Sequence, residues 1–376
     1  MLTSTFLPMI GGAEIAVAEL SNALHRLGAE VTIIAPEYQE SNVNTGLAFN
    51  VPVIRYRCTQ MIPDFIPMTY AMMKIARSAD AIHAHFLYPS GLAGVIIKYL
   101  LHRPCVVTMH GMDIQVYKSL GYGLRLDWRL DLIVKFVLRK VNALIAPSKF
   151  IAEEAMKAGA DPSKVHILPN GVDTSKFNPS ISGEAMRREL GIDREEHVVL
   201  TVANFRTVKG YTYLVHAIPL ILKEYPKTKF IFCGKGPDEQ NTINMVRTLG
   251  LSKNVIFAGS VNQNKMPMLY ATSDVFIDPS LGEWAGIAVL EALSSAKPVV
   301  LARTKKDYLL DLVGGEMSSV IFVNPQNPTQ LAEAIINCLE DPSLTRIARV
   351  LSEKIVQNLS WKAVADRTLT LYKSLP

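Results

Sequence analysis

Short apolar runs alternate with longer stretches of helical periodicity along almost the whole of this 376-residue chain. Runs beginning at Glu30, Ala81, Cys105 and Ala143 read as strands. Ile15–Leu27 reads as an amphipathic helix, and Leu92–Leu101 as an apolar helix between two strands. The second half repeats the scheme, with strand-like runs from Val198, Lys229, Val255, Val275, Pro298 and Val320. Neighbouring strands separated by helix-length segments cannot be hairpins. They need crossover connections, so they build parallel sheets covered on both faces. The expected fold class is α/β with two Rossmann-like domains. Ligands of such sheets sit at the C-terminal ends of the strands. The turn-rich stretch Asn178–Gly183 places a boundary near residues 175–195. This gives domains 1–180 and 190–358, with a tail at 359–376. No internal repeat or low-complexity segment is visible.

Composition narrows the class of partner. Hydrophobic residues make up 49% and charged residues 19%, enough for a sizeable core in each half. The net charge of +5 is mild. It suits nucleotides or an anionic membrane surface and does not call for nucleic acid. Cys58, Cys105, Cys233 and Cys338 are widely spaced and lack metal or disulfide spacing. They read as buried thiols in a reducing compartment. With no signal peptide and no 18-residue apolar run, the expected location is cytoplasmic, with a peripheral place on the inner membrane face as an extension.

The chemistry-bearing residues lie at the ends of the expected strands. In 278–292, Glu283 and Glu291 stand eight positions apart, with Pro279 and Ser280 before them and Gly286 between. Gly286 and Ile287 open a helix, whose N–H groups and dipole attract phosphate. Eight residues of helix span about 12 Å, enough to flank a diphosphate with a carboxylate on either side. The plain alternative is a loop glutamate and a surface helix glutamate. Arg206 and Lys209 follow the Val198 strand; they can neutralise phosphate oxygens as a fork and as a point charge. Gly234, Gly236 and Pro237 follow the Lys229 strand, and Val261 follows the Val255 strand. Gly11 and Gly12 open the first helix. His110 and Asp113 follow the Cys105 strand. His83 and His85 share one strand face and read as structural, without further metal ligands nearby. No D-x-D pair occurs, so no metal site is expected.

Taken together, E-x7-E after Pro-Ser, N-x-R-x-V-K-G, G-x-G-P and H-G-x-D resemble the retaining two-Rossmann (GT-B) glycosyltransferases, specifically glycosyltransferase family 4. The resemblance covers nearly the whole chain. It implies two domains facing each other across a cleft that closes on substrate, with the C-terminal helix Trp361–Tyr372 crossing back to the first. It implies a nucleotide-diphosphate sugar as donor substrate and no other cofactor. Glu291 would hold the ribose, Arg206 and Lys209 the diphosphate, and Glu283 the sugar hydroxyls. His110 would contact the donor sugar. Gly11 and Gly12 would lie beside phosphate and acceptor, Gly234, Gly236 and Val261 near the nucleotide, and Asp113 would fix its loop or meet the acceptor. The acceptor would be a glycan, a lipid-linked molecule or a small molecule.

The chain also departs from the family pattern. Relatives begin with a longer first strand, so either the true start lies upstream or this strand is a stub around Met1–Thr5. Trp284 and Ala285 replace a Gly-Phe pair and reshape the sugar pocket. The segment after Leu301 carries Thr304–Tyr308 in place of a Gly-Gly-x-Pro-Glu motif. Tyr122–Lys140 reads as one helix with aromatic and basic residues, either a packed helix with a solvated face or a peripheral membrane contact for a lipid-linked acceptor. Two alternatives remain at this stage: a related epimerase or phosphorylase, and a non-catalytic nucleotide-sugar-binding scaffold.

Overall fold

The computed structural model describes residues 1–38, 50–57, 64–282, 286–302 and 319–376. The chain forms two compact units, Met1–Gly171 with Trp361–Pro376, and Val172–Ser360.

Among the described residues, unit 1 carries a seven-stranded sheet. Its strands are β1 (Leu2–Thr3), β2 (Ile33–Pro36), β3 (Val53–Tyr56), β4 (Ile82–His85), β5 (Cys105–Thr108), β6 (Ala143–Ala146) and β7 (Val165–Ile167). They lie in the order β3-β2-β1-β4-β5-β6-β7, all parallel. Two-residue β1 sits in the middle, with Leu2 opposite Ile34 and Ala84, and both of its residues are fully buried. The helices of this unit are α1 (Gly12–Arg26), α2 (Phe65–Met73), α3 (Leu92–Leu101), α4 (Trp128–Lys140) and α5 (Lys149–Lys157). The final helix of the chain, Trp361–Lys373, packs on α1.

Unit 2 repeats the scheme with α6 (Glu184–Glu189), β8 (His197–Val202), α7 (Tyr211–Glu224), β9 (Thr228–Cys233), α8 (Glu239–Thr248), β10 (Val255–Gly259), α9 (Met266–Thr272) and β11 (Val275–Asp278). It continues through α10 (Ile287–Ser294), β12 (Val299–Ala302), β13 (Val320–Val323), α11 (Pro328–Glu340) and α12 (Pro342–Leu359); the final helix of unit 1 is then α13. The parallel strand order is β10-β9-β8-β11-β12-β13, so the order reverses direction beside β8. Strands β8 and β9 are apolar and largely buried over Val198–Leu200 and Phe230–Cys233, as two covered faces require.

Three differences from the sequence reading have local causes. Edge strands β3 and β7 were not expected, because each is short and partly exposed and so lacks the apolar run of a buried strand. The division between units falls after Gly171, ahead of residues 175–195, and the second unit runs to Ser360 rather than 358. Val172 donates to Leu359 O and bridges Ser360, while Phe177 O accepts from Ser294 Oγ and its ring meets Tyr270, so 172–180 is built into unit 2. The helix expected over Tyr122–Lys140 starts only at Trp128. Gly121 and Gly123 hold positive φ, and Asp127 caps α4 by accepting from the Arg129 N–H.

Candidate functional site

In unit 2, the loops after β8, β9 and β10 are laced backbone to backbone. Phe205 N–H donates to Lys235 O, Asp238 N–H to Phe205 O, and Gly234 N–H to Gly259 O. The glycines make this possible. A Cβ on Gly234 would lie 2.1 Å from Ala203 O, and one on Gly236 2.3 Å from Phe205 O. Across Thr207 and Asp238 a side-chain hydrogen bond of 2.8 Å adds a further tie.

The cationic loop is bound on its other side to the end of β11. A 3-10 turn, Thr207–Lys209, leads into Gly210, which has φ 68° and holds its Cα hydrogen where a Cβ would stand 1.8 Å from Pro279 O. Leu281 N–H donates to Val208 O at 2.8 Å. Lys209 is half-buried and Arg206 is exposed; the Arg206 guanidinium forms no ion pair among the described residues. This loop is thereby bonded to the segment that leads into Glu283. Glu283 itself, with Trp284 and Ala285, lies outside the described residues, as does the Thr304–Tyr308 segment.

Helix α10 begins at Ile287 with Gly286 as its N-cap, and no side chain caps it. Among the described residues, nothing lies within 4 Å of where a Gly286 Cβ would be. Among them, no side chain caps the N–H groups of the first turn of α10. Glu291 is 5% exposed, and its Oε2 accepts from Tyr270 Oη at 2.7 Å. Tyr270 is fully buried, and burial followed by the Glu291 charge raises its pKa well above the ordinary value, so it remains a donor. Nearby, burial pushes the Cys233 thiol up to about 12, with the Glu291 charge a smaller cause. Val261 is half-buried just beyond β10.

Unit 1 presents a different chemistry. Gly11 is the N-cap of α1, and the Glu14 carboxylate folds back over it, 2.5 Å from where a Gly11 Cβ would be. Gly12 has open space beside it. Parallel register pairs His83 with Val106 and His85 with Thr108. His110 lies two residues beyond Thr108, so His83, His85, Thr108 and His110 share one face. His85 Nδ1 lies 3.1 Å from His110 Nε2. His83 bonds Tyr372 Oη of α13 at 2.5 Å through Nδ1 and Thr108 Oγ1 at 2.6 Å through Nε2. The His83 and His85 rings stack with centroids 4.4 Å apart. Burial lowers the His83 pKa to about 3 and that of His110 to about 4, and holds His85 well below its ordinary value. All three rings are neutral at pH 7.

Asp113 is 0% exposed, which fits the loop-fixing one of its two expected roles. Its oxygens accept from Leu87 N–H at 2.9 Å and His110 N–H at 3.0 Å. It fixes the loop that carries His110. Burial raises its pKa to about 6, against the opposing effect of these backbone hydrogen bonds.

Comparison with known proteins supplies the family. Residues 10–176 match the family model for Glycosyltransferase Family 4, and residues 182–355 match that for Glycosyl transferases group 1. The chain belongs to the group 1 GT-B glycosyltransferases. This glycosyltransferase is 27% identical to an uncharacterized glycosyltransferase of Methanocaldococcus jannaschii, an alignment covering 99% of this chain and 97% of the relative. It is 23% identical to the alpha-monoglucosyldiacylglycerol synthase of Acholeplasma laidlawii, over 100% of this chain and 96% of the relative. Among solved structures, Anabaena HepE in complex with UDP-glucose superposes with a TM-score of 0.80 at 20% identity, covering 100% of this chain and 99% of that one. This likeness establishes the two-Rossmann GT-B fold.

Sequence reading found the loops of this glycosyltransferase and missed the partners. Tyr270 beneath Glu291, and Tyr372 and Thr108 around His83, carry no local motif. The pairing of His85 with His110 was also missed, although alternation of His83 and His85 on a strand ending beside the H-G-x-D strand was a usable signal.

Proposed function

We propose that this glycosyltransferase transfers a sugar from a nucleoside diphosphate sugar, with retention of configuration and without a metal ion, to a lipid-linked acceptor at a membrane surface. The observation that carries the donor half is the cradle of unit 2: two laced glycine turns, a cationic loop and an uncapped helix N-terminus at adjacent strand ends. Departure of the nucleoside diphosphate concentrates negative charge on its β-phosphate. Arg206, Lys209 and the α10 N–H groups meet that charge with fixed positive charge and dipoles. A phosphate oxygen takes the acceptor proton as the acceptor attacks from the side of the leaving group. Glu291 holds the ribose against Tyr270. Unit 1 supplies His110 to the sugar and the Gly11–Gly12 turn to the acceptor. The HepE structure, named for its UDP-glucose complex, supports a uridine nucleotide as the first donor to try.

The acceptor half rests on α4. Trp128, Leu132 and Phe136 are 68%, 57% and 44% exposed and stand four residues apart, on one stripe of the helix. Exposed Arg129, Arg139 and Lys140 accompany them. An aromatic stripe with cations fits a monotopic contact with anionic lipid. No helix among the described residues is long and apolar enough to cross a membrane. The Acholeplasma laidlawii relative, named for glucosylating a diacylglycerol, supports the same reading.

The test is a thermal-shift panel of UDP, GDP and ADP with their glucose and mannose conjugates, followed by transfer assays in EDTA with NMR assignment of the product anomer. Transfer that stops in EDTA and returns only with a divalent ion removes the metal-free mechanism, and an inverted product removes retention. Co-sedimentation with phosphatidylglycerol vesicles should fall on Trp128→Ser with Phe136→Ser. Equal sedimentation of the double variant removes the membrane contact.

A further inference from the structure

We propose that His85 is a positioning residue that donates its Nδ1–H to His110 Nε2, and so fixes His110 as the Nδ1–H tautomer, a hydrogen-bond donor to the transferred sugar. The inference rests on the reading of His110 as a sugar contact.

The argument begins with the pair itself. Two imidazole nitrogens 3.1 Å apart need one donor and one acceptor. Both rings are held neutral by burial, so an imidazolium cannot supply the donor. The choice between the two arrangements is made at the far nitrogen of His85. His85 is 1% exposed, and its Nε2 has no hydrogen-bond partner among the described residues. It borders a cavity of ≈ 20 Å³ whose lining includes Leu20, Ile145, Leu168, Trp361 and Val364 together with polar Asn170 and Thr368, neither of which bonds to it. No protein acceptor meets Nε2 there, and buried orphan N–H groups are rarer than under-used acceptors. His85 therefore carries its proton on Nδ1 and leaves a lone pair on Nε2. His110 Nε2 must then accept, and its own proton moves to Nδ1.

The rest of the cluster keeps His85 where this requires. Burial raises the Tyr372 hydroxyl pKa far above neutrality, so that hydroxyl donates to His83 Nδ1. His83 Nε2–H then donates to Thr108 Oγ1, and the His83 ring stacks on His85. On the other side, Asp113 holds the His110 backbone N–H. The His85 ring and the His110 backbone are thus held by groups other than each other. A donor with a fixed tautomer loses nothing to tautomer exchange when a sugar hydroxyl arrives.

Long-range proton–nitrogen correlation spectra of the whole chain labelled with ¹⁵N-histidine read each tautomer directly. The expected wild-type spectrum shows His110 protonated on Nδ1, and His85 likewise. His85→Ala should release His110 into the Nε2–H form and lower kcat for hydrolysis of the donor on which the enzyme turns over (UDP-glucose, GDP-mannose or ADP-glucose) by roughly 10-fold or more, with KM within about 2-fold. His85→Asn places an amide nitrogen where Nδ1 was and should restore both the tautomer and the rate; His85→Gln should not. A wild-type His110 protonated on Nε2 overturns the proposal, whether or not any variant folds. So does a His85→Ala enzyme with unchanged kcat when His110→Ala is inactive. A His110→Ala enzyme at the wild-type rate instead removes the sugar-contact reading, and leaves the spectra to decide the pair.

Discussion

The two units repeat one topology and use its strand ends in opposite ways. Unit 2 gathers charge and bare backbone: Arg206, Lys209, the glycine turns and the open start of α10. Unit 1 gathers neutral rings that hydrogen-bond to one another, with Glu14 already folded over the first turn of α1. A diphosphate needs fixed positive potential where charge develops. A sugar needs oriented hydrogen-bond donors and acceptors, which neutral imidazoles offer. Under the proposed function one scaffold supplies both environments, because loops, rather than the sheet, carry ligand chemistry.

The sharpest way to break this contrast is to disturb the close backbone packing of unit 2. Gly210→Ala sets a methyl group against Pro279 O at a residue with φ 68°, and should destabilise unit 2 by about 3 kcal/mol in urea unfolding. Gly286→Ala, with φ −72° and nothing within 4 Å, should leave stability within about 0.5 kcal/mol yet weaken nucleoside diphosphate binding measured by calorimetry. If both variants unfold alike, the packing account of Gly210 is wrong. Next in size is the charge itself: Lys209→Ala should lower turnover at least ~10²-fold with stability unchanged. Turnover near the wild-type value would show that the leaving-group charge is met elsewhere.

A more gradual effect concerns unit 1 and pH. His83, His85 and His110 have folded pKa values below the unfolded value, so their stability contribution is complete above pH 6.5 and is lost as pH falls. Between pH 6.5 and 5 His83 and His110 should each cost about 2 kcal/mol, and His85 adds to that loss in the same direction. Asp113 acts in the opposite direction. Its pKa is raised to about 6, so below that pH the folded state takes up a proton that the unfolded chain does not, offsetting about 1 kcal/mol by pH 5. Urea unfolding followed separately for the two units should show unit 1 weakening by roughly 3 kcal/mol or more over this interval while unit 2 moves less. A pH-independent unit 1 would mean that the histidines are hydrated, and the neutral half of the contrast would fall.

Much of this was legible along the chain. Alternating apolar runs and helical patterns give two parallel sheets, because a strand buried on both faces must be apolar nearly throughout. Gly-rich turns, Arg206, Lys209 and His110 could be placed at strand ends, and Glu291 in the helix that follows one, because strand–turn–helix order is local. Residues 122–127 were read as helix because their composition suits one; the glycines at 121 and 123 and the Asp127 cap decided otherwise. Edge strands β3 and β7 escaped because partial exposure erases the pattern that marks a central strand.

Local patterns along the chain set the class of fold, the periodicity of its elements and which residue types end up at the strand termini, since each depends on neighbours within a turn or a pleat. The pairings come from packing between distant segments. The register of β4 on β5 brings His85 to His110, the docking of α13 brings Tyr372 to His83, and the packing of α9 on α10 brings Tyr270 to Glu291. Packing also decided which glycines are sterically required, because the oxygen that excludes a side chain at Gly210 belongs to a residue 69 positions later. These are contacts between distant parts of the chain, created by register and packing, and no local pattern of residues specifies them.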